Sequence, residues 1–374
     1  MTILINILAF VVVFSVIVFV HELGHFLVAR WNGVKVDAFA IGFGPELLGY
    51  TSSTGTRWKF CAIPLGGYVK MYGDANVAST GPNTELSAEE KKNWHLSLHS
   101  KSAMQRAAVA IAGPMANFIF AIVVFFALFE IFGKPSTVPV LGGIKAESAA
   151  DKAGLKAGDH IIELNGAPLD SFEQLQREIL VNPESEFKLK IKRDNADLEI
   201  SVTPELKEVK DIFGNVSKIG QLGVIQGAEK KWTRLGPIDG AIESVKYTWF
   251  VTTTTLKGLG QMITGTRSTD ELGGPIRIFQ MTGQMAQVGI DALISFAALL
   301  SIGLGLINLF PIPALDGGHI LFCIVEGIRG KPLNEKAQEY VTIVGVLAVL
   351  SLMVFAIWND LKHVKAFEWI SSLF

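Results

Sequence analysis

From Met1 to Val20 the chain carries no charged residue, and it then reads His21-Glu22-Leu23-Gly24-His25. About 20 apolar residues in a helix cross a hydrocarbon core, and a helix keeps its backbone groups bonded within lipid. Histidine and glutamate are costly at that depth and persist mainly where they have work to do. Residues i and i+4 share one helix face, so His21 and His25 can aim their imidazoles at one ion. Glu22 then lies one step round the helix, beside a water on that ion rather than as a further ligand. Zinc lowers the pKa of such a water to about 7, and a carboxylate can take its proton. In a soluble helix these letters also arise by chance. In an apolar helix an unpaired glutamate costs a few kcal/mol, which favours a site for one zinc ion.

Three more runs are long enough to span: Ala107 to Phe129, Ala292 to Leu315 and Val341 to Trp358. Only 18% of the chain is charged, against about 25% in soluble domains. The net charge of -2 offers nothing to a nucleic acid. The expected fold is a polytopic α-helical membrane protein with four transmembrane helices. The first run has no basic leader and no small-residue cleavage site, so it reads as a retained span rather than a signal peptide. Arg30, Lys35, Lys91, Lys92, Lys101, Arg106, Arg329, Lys331 and Lys336 fall on one side if the N-terminus is outside. That side is cytoplasmic by the positive-inside rule, although Lys362 and Lys365 lean the other way. Cys61 and Cys323 then face the reducing side as free thiols.

The first and third spans run in the same direction. Asn308-Leu309-Phe310-Pro311-Ile312-Pro313-Ala314-Leu315-Asp316-Gly317-Gly318-His319 closes the third. Pro311 and Pro313 cannot continue a regular helix, and freed backbone at membrane depth needs a protein-lined cavity. Asp316 therefore reaches the depth of His21 and His25 and is the candidate third ligand. On its own, Asp316 also reads as a helix cap or turn residue at the membrane exit. His319 is a competing ligand or a solvated neighbour.

Together His21–His25, Gly113-Pro114-Met115-Ala116-Asn117 and the Asn308–His319 run resemble the site-2 protease family of intramembrane zinc metalloproteases, in its bacterial regulator of sigma-E branch. The resemblance covers nearly the whole chain. It implies that His21, His25 and Asp316 bind zinc, that Glu22 is the catalytic base, and that Asn308 helps hold the substrate backbone or the oxyanion. It further implies cleavage of single-span membrane proteins already shortened outside, such as anti-sigma factors or remnant signal peptides. A chain of this kind would sit in the bacterial cytoplasmic membrane as a monomer. The alternative from another class is a zinc-bound scaffold that recruits partners without proteolysis.

Two segments lie outside the spans. Arg57 to Met71 reads as strand, turn, strand, broken at Pro64 and Gly66-Gly67. With Ile41-Gly42-Phe43-Gly44-Pro45 it is expected as a β-loop on the cytoplasmic side. In the resembling family such a loop dips toward the active site, where an edge strand can capture an extended peptide. The plain alternative is a small covering sheet. Gly42, Phe43, Gly44, Gly66 and Gly67, with Pro311 and Pro313, are the candidate substrate-binding positions. Residues 74–100 read as a mobile polar loop. Leu141-Gly142-Gly143-Ile144 and the Ala153–Gly166 run resemble a bacterial PDZ domain of α+β fold, outside the membrane, with Leu141, Gly142, Gly143 and Ile144 as its peptide groove. A size filter is the competing role.

The expected order is residues 1–30, first span; 31–106, cytoplasmic β-rich region; 107–132, second span; and 133–206, PDZ domain. Residues 207–290 connect back to the membrane with an amphipathic helix that carries Ile242, Val245, Trp249, Thr252 and Leu256. Then come the third span (291–316), a cytoplasmic loop (317–339), the fourth span (340–359) and the tail (360–374).

Overall fold

The computed structural model describes residues 2–73, 93–169, 171–194, 196–210, 216–227, 230–265, 268, 273–331 and 334–363. Most of the segment expected as a mobile loop, residues 74–92, lies outside these. The chain opens with α1 (Thr2–Trp31), β1 (Val36–Thr51), β2 (Arg57–Met71) and α2 (Ala103–Phe132). It continues with β3 (Lys134–Thr137), β4 (Leu141–Ile144), α3 (Ala149–Lys152), β5 (His160–Leu164), β6 (Ala167–Pro168), α4 (Phe172–Val181), β7 (Phe187–Arg193) and β8 (Ala196–Val202). Next are β9 (Glu205–Lys210), β10 (Val216–Gln221), β11 (Val224–Gln226), β12 (Lys230–Thr233) and α5 (Pro237–Ile263). The chain ends with α6 (Pro275–Val288), α7 (Ile290–Leu309), α8 (Asp316–Arg329) and α9 (Glu335–His363).

Among the described residues, four helices are long and apolar enough to cross a membrane: Ile3–Trp31, Ala103–Phe132, Ile290–Leu309 and Gln338–Lys362. Ile3, Leu4, Leu8 and Val12 on α1, and Val344, Leu347 and Val354 on α9, are exposed. In water each such side chain would forgo about 1.5–3 kcal/mol of burial, whereas in hydrocarbon the cost vanishes. The protein is a polytopic membrane protein, and these rows face lipid.

The chain forms two compact units. The first holds Met1–Phe125, Tyr247–Thr252 and Gly273–Asp360. In it β1 and β2 each double back. The register sets Phe39 between Val69 and Trp58, and Tyr50 opposite Trp58. Gly42, Gly44 and Gly66 take positive φ (86°, 86° and 106°), a region that favours glycine, and these sites turn the strands. The stretch Gly67–Met71 is left at an outer edge. Phe39 stacks on Trp58 at 4.5 Å, and Phe26 of α1 meets Trp58 edge-on at 5.2 Å. These rings, with Ala29, Val36, Val69 and Val109, pin the sheet to the end of α1 that carries the histidines.

Residues 317–339 were expected as a loop, yet Asp316–Arg329 is helix α8. Gly317 and Gly318 act as points of close approach rather than breaks. A Cβ on Gly317 would strike the Leu309 and Phe310 carbonyls, and one on Gly318 would strike Ile312 and Pro313. Leu321, Ile324 and Ile328 continue at helical spacing, and Gly330 closes the helix in a left-handed C-cap with φ 67°. Between α7 and α8, Phe310–Leu315 is irregular, and Ala314 is held at φ 114°.

The second unit holds Phe126–Lys246, Thr253–Leu272 and Leu361–Phe374. Its four-stranded sheet runs β6-β5-β7-β8. The core gathers Leu141, Ile161, Phe172, Leu175, Phe187, Leu189 and Ile191. On α4, Phe172, Leu175 and Ile179 present one buried face, and Ser171 caps its N-terminus through Gln174 N. The sheet pieces continue past residue 206: β11 pairs with β4, and β12 with β3. Such pairing is non-local, so composition did not announce it.

Arg193 binds Asp159 through two contacts of 2.7 Å, and the same carboxylate accepts from Lys156 N at 2.7 Å. Burial pushes the Asp159 carboxyl up, but the Arg193 bonds outweigh it and hold it below its ordinary value. A depressed carboxylate stabilises the fold above its unfolded pKa, and that contribution fades as pH falls through the folded value. Asp159→Asn is expected to cost about 2 kcal/mol. Hydrogen exchange across β5 and β7 in the full-length protein should then quicken by about 30-fold at neutral pH. Below about pH 4 the unsubstituted protein should approach the variant.

Candidate metal centre

His21, Glu22 and His25 sit in the C-terminal half of α1. Gly24 lets that turn touch α2, since a Cβ there would strike the Ala112 carbonyl and Ala116. Small residues at crossings bring membrane helices close in this way. His21 and His25 are both buried. Their Nε2 atoms lie 3.2 Å apart. Asp316 Oδ2 is 3.2 Å from His21 Nε2 and 3.5 Å from His25 Nε2. A tetrahedral zinc with bonds near 2.0–2.1 Å separates its donors by about 3.4 Å. The three separations match one face of that tetrahedron. Asp316 Oδ2 is also buried without a hydrogen-bond partner among the described residues, as a ligand oxygen would be. The donor set therefore fits zinc.

Asp316 is the first residue of α8, while the cap position belongs to Leu315, with no side-chain cap bond. The carboxylate points at the histidines instead of capping its own helix. His319 lines the same cavity but stands outside the donor triangle and meets Phe322 edge-on.

Both histidines are backed by α2. His25 Nδ1 donates to the Val109 carbonyl at 2.8 Å. His21 Nδ1 meets the Asn117 amide at 3.2 Å. Gly113 lies between them, and a Cβ there would enter the His25 ring. The roles of Val109, Gly113 and Asn117 escaped the sequence reading. In the sequence Gly113 and Asn117 stand out only as part of the Gly113–Asn117 motif, with no role attached, and Val109 not at all. Gly113→Ala is expected to shift the His25 ring and lower activity by roughly 10²-fold. Unchanged helicity by circular dichroism would separate that effect from unfolding.

A cavity of about 650 Å³ opens over the centre. Glu22, Asn308, Ala314, Leu315, Phe43, Gly44, Gly67 and Tyr68 share its wall. Glu22 is hydrogen-bonded by the Val69 backbone, and a Cβ on Gly67 would crowd its Cγ. Of the expected substrate positions, Phe43, Gly44 and Gly67 line the cavity. Gly42 and Gly66 form bends behind it, and Pro311 and Pro313 shape the loop before Asp316. Gly345 of α9 lies directly against the Pro313 carbonyl. The ion pair of Arg106 with the buried Glu326 also lines the cavity.

Leu141–Ile144 is not placed as an open groove. Gly142 backs onto Gln226 and Gly227, and the strand is laddered to β11. Leu141 is buried, accepts from Gly158 N and donates to Asp159 O. The outer strand of this pair is β11, which among the described residues ladders to β4 alone.

The profile of the family described as Peptidase family M50 matches residues 9–352. The chain belongs to peptidase family M50. This M50 peptidase is 41% identical over 356 residues to the "Putative zinc metalloprotease" of Rhizobium meliloti, covering 94% of this chain and 95% of that protein. A second "Putative zinc metalloprotease", from Agrobacterium fabrum, is 42% identical over 359 residues, covering 95% of each. The regulator of sigma-W protease RasP from Bacillus subtilis is 34% identical over 429 residues, covering 96% of this chain and 98% of its own. The M50 peptidase is thus a zinc metalloprotease of the site-2 type. The reading as a scaffold without proteolysis falls with that assignment.

Proposed function

We propose that this M50 peptidase cleaves peptide bonds inside the transmembrane segments of single-span proteins already trimmed outside, and that His21, His25 and Asp316 hold its one zinc ion. The observation that carries this reading is the donor triangle in the C-terminal half of a helix that bears no charge before Glu22, opening on a cavity beside a strand edge. When bound, zinc polarises the scissile carbonyl and makes water acidic near neutral pH. Glu22 takes the proton of the attacking water and hands it to the departing amine, so water adds across the peptide bond to give an acid and an amine. Asn308, on the same wall, steadies the carbonyl oxygen with its amide.

A peptide bond in a helix is shielded, so the substrate must be unwound. The outer stretch Gly67–Met71 runs past Glu22 and offers backbone groups for strand addition. Phe43, Gly44 and Gly67 supply the walls. Anti-sigma factors and remnant signal peptides are the substrate class this chemistry suits. The arginine and lysine distribution supports an N-terminus and second unit outside a bacterial cytoplasmic membrane. The second unit is proposed as a PDZ domain that screens substrates by size, with the enzyme acting as a monomer.

Purified enzyme mixed with a tagged single-span substrate in detergent tests this reading. Mass spectrometry should place the cut within the apolar segment, and a zinc chelator should stop it. Cuts confined to the soluble flanks would contradict it.

A further inference from the structure

The two histidines are held from behind in different ways. A backbone carbonyl, Val109 O, fixes the His25 proton on Nδ1 and leaves its Nε2 lone pair facing the donor triangle. Behind His21 stands a side-chain amide, Asn117, with no exposed surface. Its nitrogen lies 3.2 Å from His21 Nδ1. Its Oδ1 is buried with no hydrogen-bond partner among the described residues. Its backbone carbonyl accepts from the Ser301 hydroxyl at 3.1 Å, which seats the residue beside His21.

An amide presents an oxygen and a nitrogen of nearly the same shape. With the nitrogen toward His21, the amide donates to Nδ1, and the ring proton sits on Nε2. That proton covers the lone pair a cation requires. With the amide turned half a rotation, Oδ1 meets Nδ1–H, Nε2 is open toward His25 and Asp316, and the buried oxygen gains its missing partner. Ligating histidines generally donate their other N–H to an acceptor of this kind. We propose that Asn117 is a positioning residue that selects the ligand tautomer of His21 by accepting its Nδ1 proton through Oδ1. The proposal rests on His21 being a zinc ligand.

The test measures zinc affinity of the full-length detergent-solubilised protein by chelator competition, for His21→Ala, Asn117→Leu, Asn117→Asp and Ser301→Ala. Asn117→Leu keeps the size and removes the acceptor, so zinc binding should weaken by about 10–100-fold. Asn117→Asp keeps an acceptor oxygen and should stay within about threefold of the unsubstituted protein, as should Ser301→Ala. The cobalt-substituted protein should keep its visible spectrum in Asn117→Asp and lose intensity in Asn117→Leu. Normal affinity in Asn117→Leu, or an equal loss in Asn117→Asp, would overturn the proposal while leaving the metal site in place. If Asn117→Leu does not fold, Asn117→Asp decides alone: retained zinc upholds the acceptor role, and zinc loss in a folded protein refutes it. His21→Ala with undiminished affinity would refute the metal site itself, and the Asn117 role with it.

Discussion

Glu22→Gln is expected to lower the turnover of a single-span substrate by about 10²–10⁴-fold, the usual weight of a positioned general base. The substitution keeps the size of the side chain and its seat beside Gly67 and the Val69 backbone. It removes only the ability to accept and return a proton. Zinc content should therefore remain one per chain, and substrate capture should be little changed. The loss should appear in kcat rather than KM, because the missing interaction belongs to the transition state. Rates measured on saturating substrate, beside metal analysis of the same sample, read both quantities. Ordinary turnover in the metal-loaded variant would take the base role away from Glu22.

Asp316→Ala is expected to act on the metal instead. Structural zinc is bound by roughly 10–16 kcal/mol in model sites, so one of three protein ligands accounts for about 4 kcal/mol. That corresponds to about 10³-fold in affinity. The carboxylate is also the donor set's only charge, at 3.2 and 3.5 Å from the two imidazole nitrogens, and among the described residues no fourth side chain joins that cluster. His319 shares the cavity but stands outside the triangle. Dialysis against a weak chelator should strip the variant while the unsubstituted enzyme keeps its ion. Full zinc occupancy with normal activity would show that Asp316 is not a ligand.

Much of this was legible in one dimension. A charge-free run followed by two histidines at helical spacing needs no partner to be recognised, and α1 carries both. Asp316 could be matched to them because spans of the same direction place their ends at the same depth. The stretch after Asp316 misled: it reads as a loop, whereas Asp316–Arg329 is helical and Gly317 and Gly318 make room for backbone carbonyls. Leu141-Gly142-Gly143-Ile144 misled for a different reason. Leu222-Gly223-Val224-Ile225 carries similar letters, and only the pairing of β4 with β11 decides which strand is outermost. Gly113 and Asn117 stood out as part of a motif, but their contacts with His25 and His21, like that of Val109, were not legible because an acceptor behind a histidine leaves no mark in composition. The bends at Gly42 and Gly66 were signalled by glycine, but the doubling back of each strand depends on contacts distant in sequence.

The separation of the proposed ligands along the chain sets an order of events during synthesis. His21 and His25 are made before the second span. Asp316 follows only after that span, the strands between Lys134 and Thr233, and α7 have been made. N-terminal segments fold first as a chain emerges, so α1 and α2 can dock while the third ligand does not yet exist. A nascent chain therefore holds two histidines and a glutamate but no closed site. With the proposed ligand set, cutting power arrives only once Asp316 is made, and a truncated product ending before it would be an inert membrane protein rather than an unregulated protease.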